Sequence, residues 1–417
     1  MAQPPSGREC VRTSSVVLGV LACALLLAAC SGGGSAPFAG LPSATDAPPG
    51  DNKARPEVVA LLVPVGAQGH PGLIGRSLKQ AAELALFDRD NPNVQLIVKD
   101  DRGTPEGARA AAEQAITGGA KLILGPLFAK SVAAVAPIAR QANVPVIAFS
   151  NDRHVAGNGV YLLGFQVEPE VARIVAFATQ RGKRRFAALI ADDALGRLAA
   201  ASFKQEVARV GGSIIALEQY PPSANGVLEP MRAIAGVLRA AEENGAPIDA
   251  LFIPGGQENL EAIARLLPQA EINTERVKLL GTGGMDYPNA GRDALLVGAW
   301  YPGPDPRGWS DFAQNYAKAY GQAPPRIASL AFDAVSLAVA LASAPDGRRY
   351  GASELTQPRG FTGADGAFRL LGNGTAERAL AILEVQQFGA GIIDPAQSLA
   401  LSAPATASGL SRVVKLD

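Results

Sequence analysis

The chain has 417 residues, of which 48% are apolar, and its 38 basic side chains balance 38 acidic ones to a formal net charge of zero. That length exceeds one ordinary core and suits two or three domains, while the charge balance leaves no electrostatic case for binding nucleic acid. There are only two histidines, and the three cysteines (Cys10, Cys23 and Cys30) all fall in the first thirty residues, so the body from Ser31 onward has no thiol, disulfide or Cys-bound metal and little means of building a His-based site.

In chain order, Arg8 and Arg12 precede an apolar run over 16–27, too short to span a bilayer as a mature helix. The run ends in Leu27-Ala28-Ala29-Cys30, followed by Ser31-Gly32-Gly33-Gly34-Ser35. This resembles the bacterial lipoprotein signal. The resemblance implies that 1–29 is a signal peptide, removed before Cys30, and that the Cys30 thiol and amine are lipidated. By that family's sorting rule, Ser31 implies a periplasmic protein held at the outer membrane of a diderm bacterium. An ordinary secretory signal cut near Ala29 is the alternative, and it would leave an unpaired cysteine at the mature terminus. Several acyl chains, at about 0.8 kcal/mol per buried methylene, would anchor the protein firmly. Residues 30–56 are rich in Gly, Ser, Ala and Pro, and read as a tether with a root-mean-square reach of roughly 25–30 Å.

Regular alternation then begins. Strands are expected over 57–65, 93–99, 121–125 and 144–150, with helices over 75–88, 104–117 and from about 129 onward. His70 falls in the loop before the first helix. Apolar Leu78, Ala81, Ala82, Ala85 and Leu86 share one helical face. A short strand at 160–164 and a helix at 168–180 lead to a second series. Strands over 186–191, 213–220, 250–253 and 277–281 alternate with helices over 195–210, 226–244 and 258–267. A further strand over 293–300, helices over 309–320 and 326–344, two short strands within 360–371 and a last strand over 379–386 follow. From 395 the chain is Pro-, Ala- and Ser-rich and reads as a weakly ordered tail. Such alternation predicts an α/β fold of two lobes, each with a parallel sheet covered by helices on both faces, and a cleft between them.

The ordered set of motifs resembles the type I periplasmic binding-protein fold, in the branch of leucine/isoleucine/valine-type solute-binding proteins. The motifs are Val63-Pro64 with the loop after it, Gly125-Pro126 with Ser131, and Val144-Pro145-Val146-Ile147. They continue with Asp192-Asp193-Ala194-Leu195-Gly196, then Phe312, Tyr316, Tyr320-Gly321 and Pro324, then Ala328 with Phe332-Asp333-Ala334-Val335. Phe361-Thr362-Gly363 with Gly366 and Phe368 completes the set. The resemblance covers about 57–394 and implies two Rossmann-like lobes with parallel sheets joined by a multi-strand hinge, 57–165 plus 302–345 forming the first lobe and 166–301 plus 346–394 the second. The run from Gly125 to Gly164 is more specifically similar to lipoproteins described as penicillin-binding-protein activators, which share the fold and are thought to touch peptidoglycan synthases.

The resemblance implies a ligand-binding protein rather than an enzyme, with an amino-acid-like ligand and an ABC permease as partners, or a peptidoglycan synthase instead. No cofactor is implied, and no nucleophile elbow, His-Glu-x-x-His run or phosphate loop occurs. A carboxylate wants N–H donors, which the helix start at Phe128, Ala129 and Ser131 offers, with Ser150 and Asn151 one strand away. Gly66 and Gln68 lie in the first loop at the same sheet edge. By family position the acid for an ammonium comes from the second lobe, making Asp192, Asp193 and Asp286 candidates, although Asp before a helix is also a common N-cap. Branched-chain amino-acid binders carry an aromatic residue where this chain has Leu195. That departure puts amino-acid specificity in question and favours an activator or an unusual ligand.

Overall fold

The computed structural model describes residues 56–87, 93–221, 226–287, 289–343 and 349–399. The expected signal peptide, Cys30 with the tether up to residue 55, and the tail from 400 lie outside the described residues. Among the described residues, no helix is long and apolar enough to cross a membrane.

The first sheet takes its strands from the alternation over the chain's first third. They are β1 (Glu57–Val63), β2 (Val94–Asp100), β3 (Leu122–Leu124), β4 (Val146–Ala148) and β5 (Val160–Leu162), all parallel in the order β2-β1-β3-β4-β5. β1 sits inside this sheet, and Val59 to Val63 are wholly buried, as its unbroken apolar run requires of a strand covered on both faces. Three helices connect these strands: α1 (Gly69–Phe87), α2 (Pro105–Thr117) and α3 (Ala129–Gln141). The Thr104 hydroxyl accepts from Gly107 N–H at 3.0 Å and Pro105 takes the first helical position, which together fix the start of α2. α1 begins at Gly69, six residues before the expected start, so His70 is helical rather than in a loop.

The second sheet is built from β6 (Arg185–Ala191), β7 (Ser213–Tyr220), β8 (Ala250–Phe252) and β9 (Lys278–Leu280), preceded and linked by α4 (Val167–Gln180), α5 (Ala194–Arg209), α6 (Leu228–Glu243) and α7 (Gln257–Leu266). β10 (Trp300–Gly303) pairs parallel with β9. The strand expected over 293–300 therefore lies later. The chain before it turns instead, with Ala299 N–H on the Leu296 carbonyl and Gly298 at φ +86°. Two helices follow, α8 (Pro306–Tyr320) and α9 (Ser329–Ala342), the latter preceded by a 3-10 turn at Arg326–Ala328 rather than continuous from 326.

The remaining strands are β11 (Phe361–Gly363), β12 (Gly366–Leu370), β13 (Ala376–Arg378), β14 (Ala381–Gln386) and β15 (Gly389–Asp394). β14 and β15 join the second sheet antiparallel, giving β15-β14-β10-β9-β8-β6-β7, so that sheet is mixed rather than purely parallel. β11 to β13 form a separate small antiparallel sheet. Its Phe368, Leu370 and Ala376 share a core with Leu78 of α1, Leu124 of β3 and Val335 of α9. Residues 349–378 thus pack with the first lobe, whereas the sequence division assigned 346–394 to the second; only β14 and β15 join the second sheet. β11 packs against α9, and the turn before β13 meets the edge of the first sheet, where Leu162 N–H donates to the Gly374 carbonyl at 2.7 Å.

Each lobe is a three-layer sandwich, with one core on each face of its sheet. The backbone passes between lobes three times: from β5 to α4, from β10 to α8, and from β13 to β14. Three crossings side by side make a multi-strand hinge.

Candidate functional site

The carboxyl ends of the strands of both sheets face a common cleft, the position where open α/β sheets bind ligands. A cavity of about 380 Å³ lies there. Its second-lobe wall comes from the start of α4 (Val167, Glu170), from Leu195 on α5, from the loop Gly255, Gly256 and Gln257, and from Thr282 to Tyr287 except Met285. Its first-lobe wall is Asn151, Phe165, Arg326 and Ile327. A second cavity of about 470 Å³ lies against the first lobe, bounded by His70, Pro71, Ile74, Phe128, Phe149 and Ser150 among others. The two share Asn151, Phe165 and Ile327.

The floor of the interlobe cavity needs glycine. A Cβ on Gly284 would lie 1.9 Å from the Gly255 carbonyl oxygen, so the two second-lobe loops touch through bare backbone. The same close packing lets Gly283 N–H donate to Glu170 Oε2 at 2.9 Å. Glu170 is the site's most perturbed acid. Burial pushes its carboxyl up to about 7 and Glu168 adds to this, while the Gly283 N–H, Arg326 and Arg378 pull the other way. Asp286 accepts from Tyr301 Oη at 3.3 Å and faces Arg326 Nη1 at 3.3 Å. Arg326 is held from behind: its Nη2 lies 2.6 Å from Asp365 Oδ1, and its guanidinium stacks 4.4 Å from the Trp309 ring centre. The cavity therefore carries one cation from the first lobe and two acids from the second on otherwise mostly apolar or backbone walls.

Of the residues singled out in the sequence, Asn151, Leu195 and Asp286 line the interlobe cavity, and Phe128, Ser150 and Asn151 line the adjoining one. Phe128 occupies the N-cap position of α3 with no side-chain cap, so the first N–H groups of that helix, near Ala129, lack a side-chain acceptor. The others serve elsewhere. Ser131 is wholly buried on the inner face of α3, its hydroxyl has no hydrogen-bond partner among the described residues, and it lines neither cavity. Asp193 caps α5, its Oδ1 accepting from Gly196 N–H at 2.7 Å. Asp192 pairs with Arg197 at 3.0 Å on the exposed surface. Gly66 N–H donates to Asp100 at 3.2 Å, closing the turn after β1; neither Gly66 nor Gln68 lines either of these two cavities. Glu170 and Arg326 were not anticipated. Glu170 reads in sequence as an ordinary acid in a helix's first turn, and only the packing of 282–284 against it reveals its place.

Among the described residues, no group of three or more His, Cys, Asp or Glu is placed to hold a metal ion.

A family model described as periplasmic binding protein matches residues 58–390. The chain belongs to the periplasmic binding protein family. This is a family of binding proteins rather than enzymes, and the two-lobed α/β architecture is that of its type I members. A structure from Rhodospirillum rubrum, named as a candidate branched-chain amino acid ABC transporter, is 17% identical over 81% of this periplasmic binding protein and all of its own length, with a TM-score of 0.71. A solute-binding protein of an ABC transporter from Rhodopseudomonas palustris, in complex with 3,4-dihydroxybenzoic acid, is 20% identical over 82% of this chain and 99% of its own, with a TM-score of 0.60. A protein of Rickettsia prowazekii described as uncharacterised is 19% identical over 55% of this chain; the match spans 60% of that relative's length.

Proposed function

We propose that the protein is an extracytoplasmic solute-binding protein, anchored through lipid on Cys30, that captures a small amino-acid-like ligand between its lobes for an ABC importer. The observation that carries the reading is the interlobe cavity of about 380 Å³, lined from both lobes and bearing both signs of charge. An ammonium fits the second-lobe acids Glu170 and Asp286. A carboxylate fits Arg326 and the N–H groups at the start of α3, and Phe165, Val167, Leu195 and Ile327 suit an apolar body. The family places its members outside the cytoplasmic membrane. The two structural neighbours are named for an amino acid and for a ligand with a carboxylate on an apolar body. The pair of acids favours the amino acid, because an aromatic acid has no cation to set against them.

Calorimetric titration of the detergent-solubilised full chain with the proteinogenic amino acids tests this. Saturable binding of one or a few of them, lost in Asp286→Asn, is the expected result. No binding at millimolar ligand sinks it. Lipidation is tested separately, since Cys30→Ser should release the protein from membranes, and retention would refute the anchor.

A second reading has one observation in its favour. Leu195, which lines the interlobe cavity, and Leu198, about one turn further along α5, are 43% and 40% exposed. Two exposed leucines, Leu195 standing where related amino-acid binders carry an aromatic, suit contact with a protein, as in a penicillin-binding-protein activator that regulates a peptidoglycan synthase. Capture of such a synthase by the wild type, lost in Leu195→Glu, together with silence in the calorimeter, would select it.

A further inference from the structure

The charges in the cleft are joined to one another across the gap between lobes. Arg326 belongs to the first lobe and Asp286 to the second, and they meet at 3.3 Å. Neither side is loose. On the first lobe, Asp365 is wholly buried and contacts Arg326 at 2.6 Å, while Ser329 Oγ donates to the other Asp365 oxygen. The Trp309 ring backs the guanidinium. On the second lobe, Tyr301 Oη holds the other oxygen of Asp286. Tyr301 itself is 1% exposed within the second-lobe core and sits on β10, next to the crossing that leads into α8. An arginine with a planar fork can serve two acids at once, so Arg326 keeps Asp365 compensated whether or not Asp286 is within reach.

We propose that Arg326 and Asp286 form a latch across the cleft, which biases the ligand-free protein toward the closed arrangement of its lobes. Within this network, opening about the three crossings separates the Arg326–Asp286 contact, while the Arg326–Asp365 pair lies within one lobe and moves with it; the other interlobe ion pair, Arg153–Glu168 at 3.3 Å, sits beside the β5–α4 crossing itself. The latch is therefore the part of the network that responds to lobe motion. Both partners are only partly exposed (24% and 30% for the side chains), so solvent screens the pair less than an ordinary surface pair. A ligand carrying both charges could enter by exchange, taking each partner in turn without leaving an unpaired charge in the cleft. The latch itself stands on the fold and does not depend on which ligand, if any, the protein takes.

The test measures lobe separation without ligand. Spin labels are placed at Lys130→Cys on α3 and Lys204→Cys on α5, both exposed and one on each lobe, in a full chain whose three native cysteines are changed to serine. Double electron–electron resonance then compares this background with Arg326→Gln and with Asp286→Asn. Each substitution should move the distance distribution to longer values, and the double variant should add nothing beyond either single one. Raised salt should shift the background the same way, and by more than it shifts the variants, which keep only the Arg153–Glu168 pair near the hinge. Asp286→Asn keeps the shape of its side chain and leaves Asp365 compensated, so it reads the latch even if Arg326→Gln unsettles the first lobe. Distributions that superimpose for background and Asp286→Asn would overturn the proposal. So would shifts that add in the double variant, because independent local damage adds where a shared contact does not.

Discussion

Glu170 is the residue whose replacement speaks most directly about the cleft. Its carboxyl stands at about 7 against an ordinary value of 4.5, chiefly because the folded protein withdraws it from water. At about 1.36 kcal/mol per unit, the displacement corresponds to roughly 3 kcal/mol, which the side chain's partial exposure brings to about 2–3 kcal/mol. The sign follows from which state holds the proton. Below pH 4.5 both folded and unfolded chains carry it, and Glu170 has no effect on stability. Between 4.5 and 7 the unfolded chain releases it first, so the folded state loses ground as pH rises. Above 7 the full cost is present. Glu170→Gln removes the charge yet keeps an oxygen for the Gly283 N–H. The variant should match the wild type at pH 4.5 and exceed it by about 2–3 kcal/mol at pH 8. With an unfolding entropy of about 2.1 cal/mol/K per residue, that is a rise in Tm of about 3–4 °C for a body of this size. Calorimetric scans of both proteins from pH 4.5 to 8 measure the difference directly. Curves that stay parallel over this range, or a wild type that gains on the variant as pH rises, would refute the account of Glu170 as an acid desolvated in the cavity wall.

Other changes separate scaffold from site. Asp193→Ala removes the cap of α5 and should cost about 1 kcal/mol in denaturant unfolding while leaving ligand affinity untouched; a large loss of affinity would return Asp193 to the cleft. Ser131→Ala deletes a buried hydroxyl that has no partner, so stability should hold or rise by about 1 kcal/mol, and a clear destabilisation would mean that the hydroxyl is bonded. Phe203→Ala should cost about 3–5 kcal/mol, since that ring is wholly buried, stacked 4.6 Å from Phe252 and edge-on to Phe186 at 5.9 Å; a loss under 1 kcal/mol would contradict this packing. Gly284→Ala places a Cβ 1.9 Å from a backbone oxygen and should shift the loops at 255 and 284 together, read as chemical-shift changes at both by NMR.

The framework of the fold was legible because it rests on signals local to the chain. The buried run of β1 and the Thr104-Pro105 start of α2 each declare themselves within a few residues, and the alternation of strand and helix fixes the two sheets. What was illegible depends on partners far away in sequence. The small sheet β11–β13 follows α9 directly in the chain, and nothing in 349–378 says which core will accept its Phe368 and Leu370; the hydrophobic face of α9, packed on α1, decides that. The candidate site divides along the same line. A helix start followed by polar loop residues is visible in sequence, so Phe128, Ser150 and Asn151 were found beside the cleft. Acidity before a helix is ambiguous, because a cap and a ligand carboxylate demand the same residue; the Gly196 N–H resolves Asp193 toward capping. Glu170 and Arg326 were hidden for a stricter reason. Glu170 depends on Gly283, a hydrogen bond spanning 113 residues. Arg326 depends on Asp286 and on Asp365, one on either side of it in the chain and in different lobes. A charge whose meaning is set by contacts on both sides of a hinge has no local signature, and the cleft, being the place where distant segments converge, is where such charges collect.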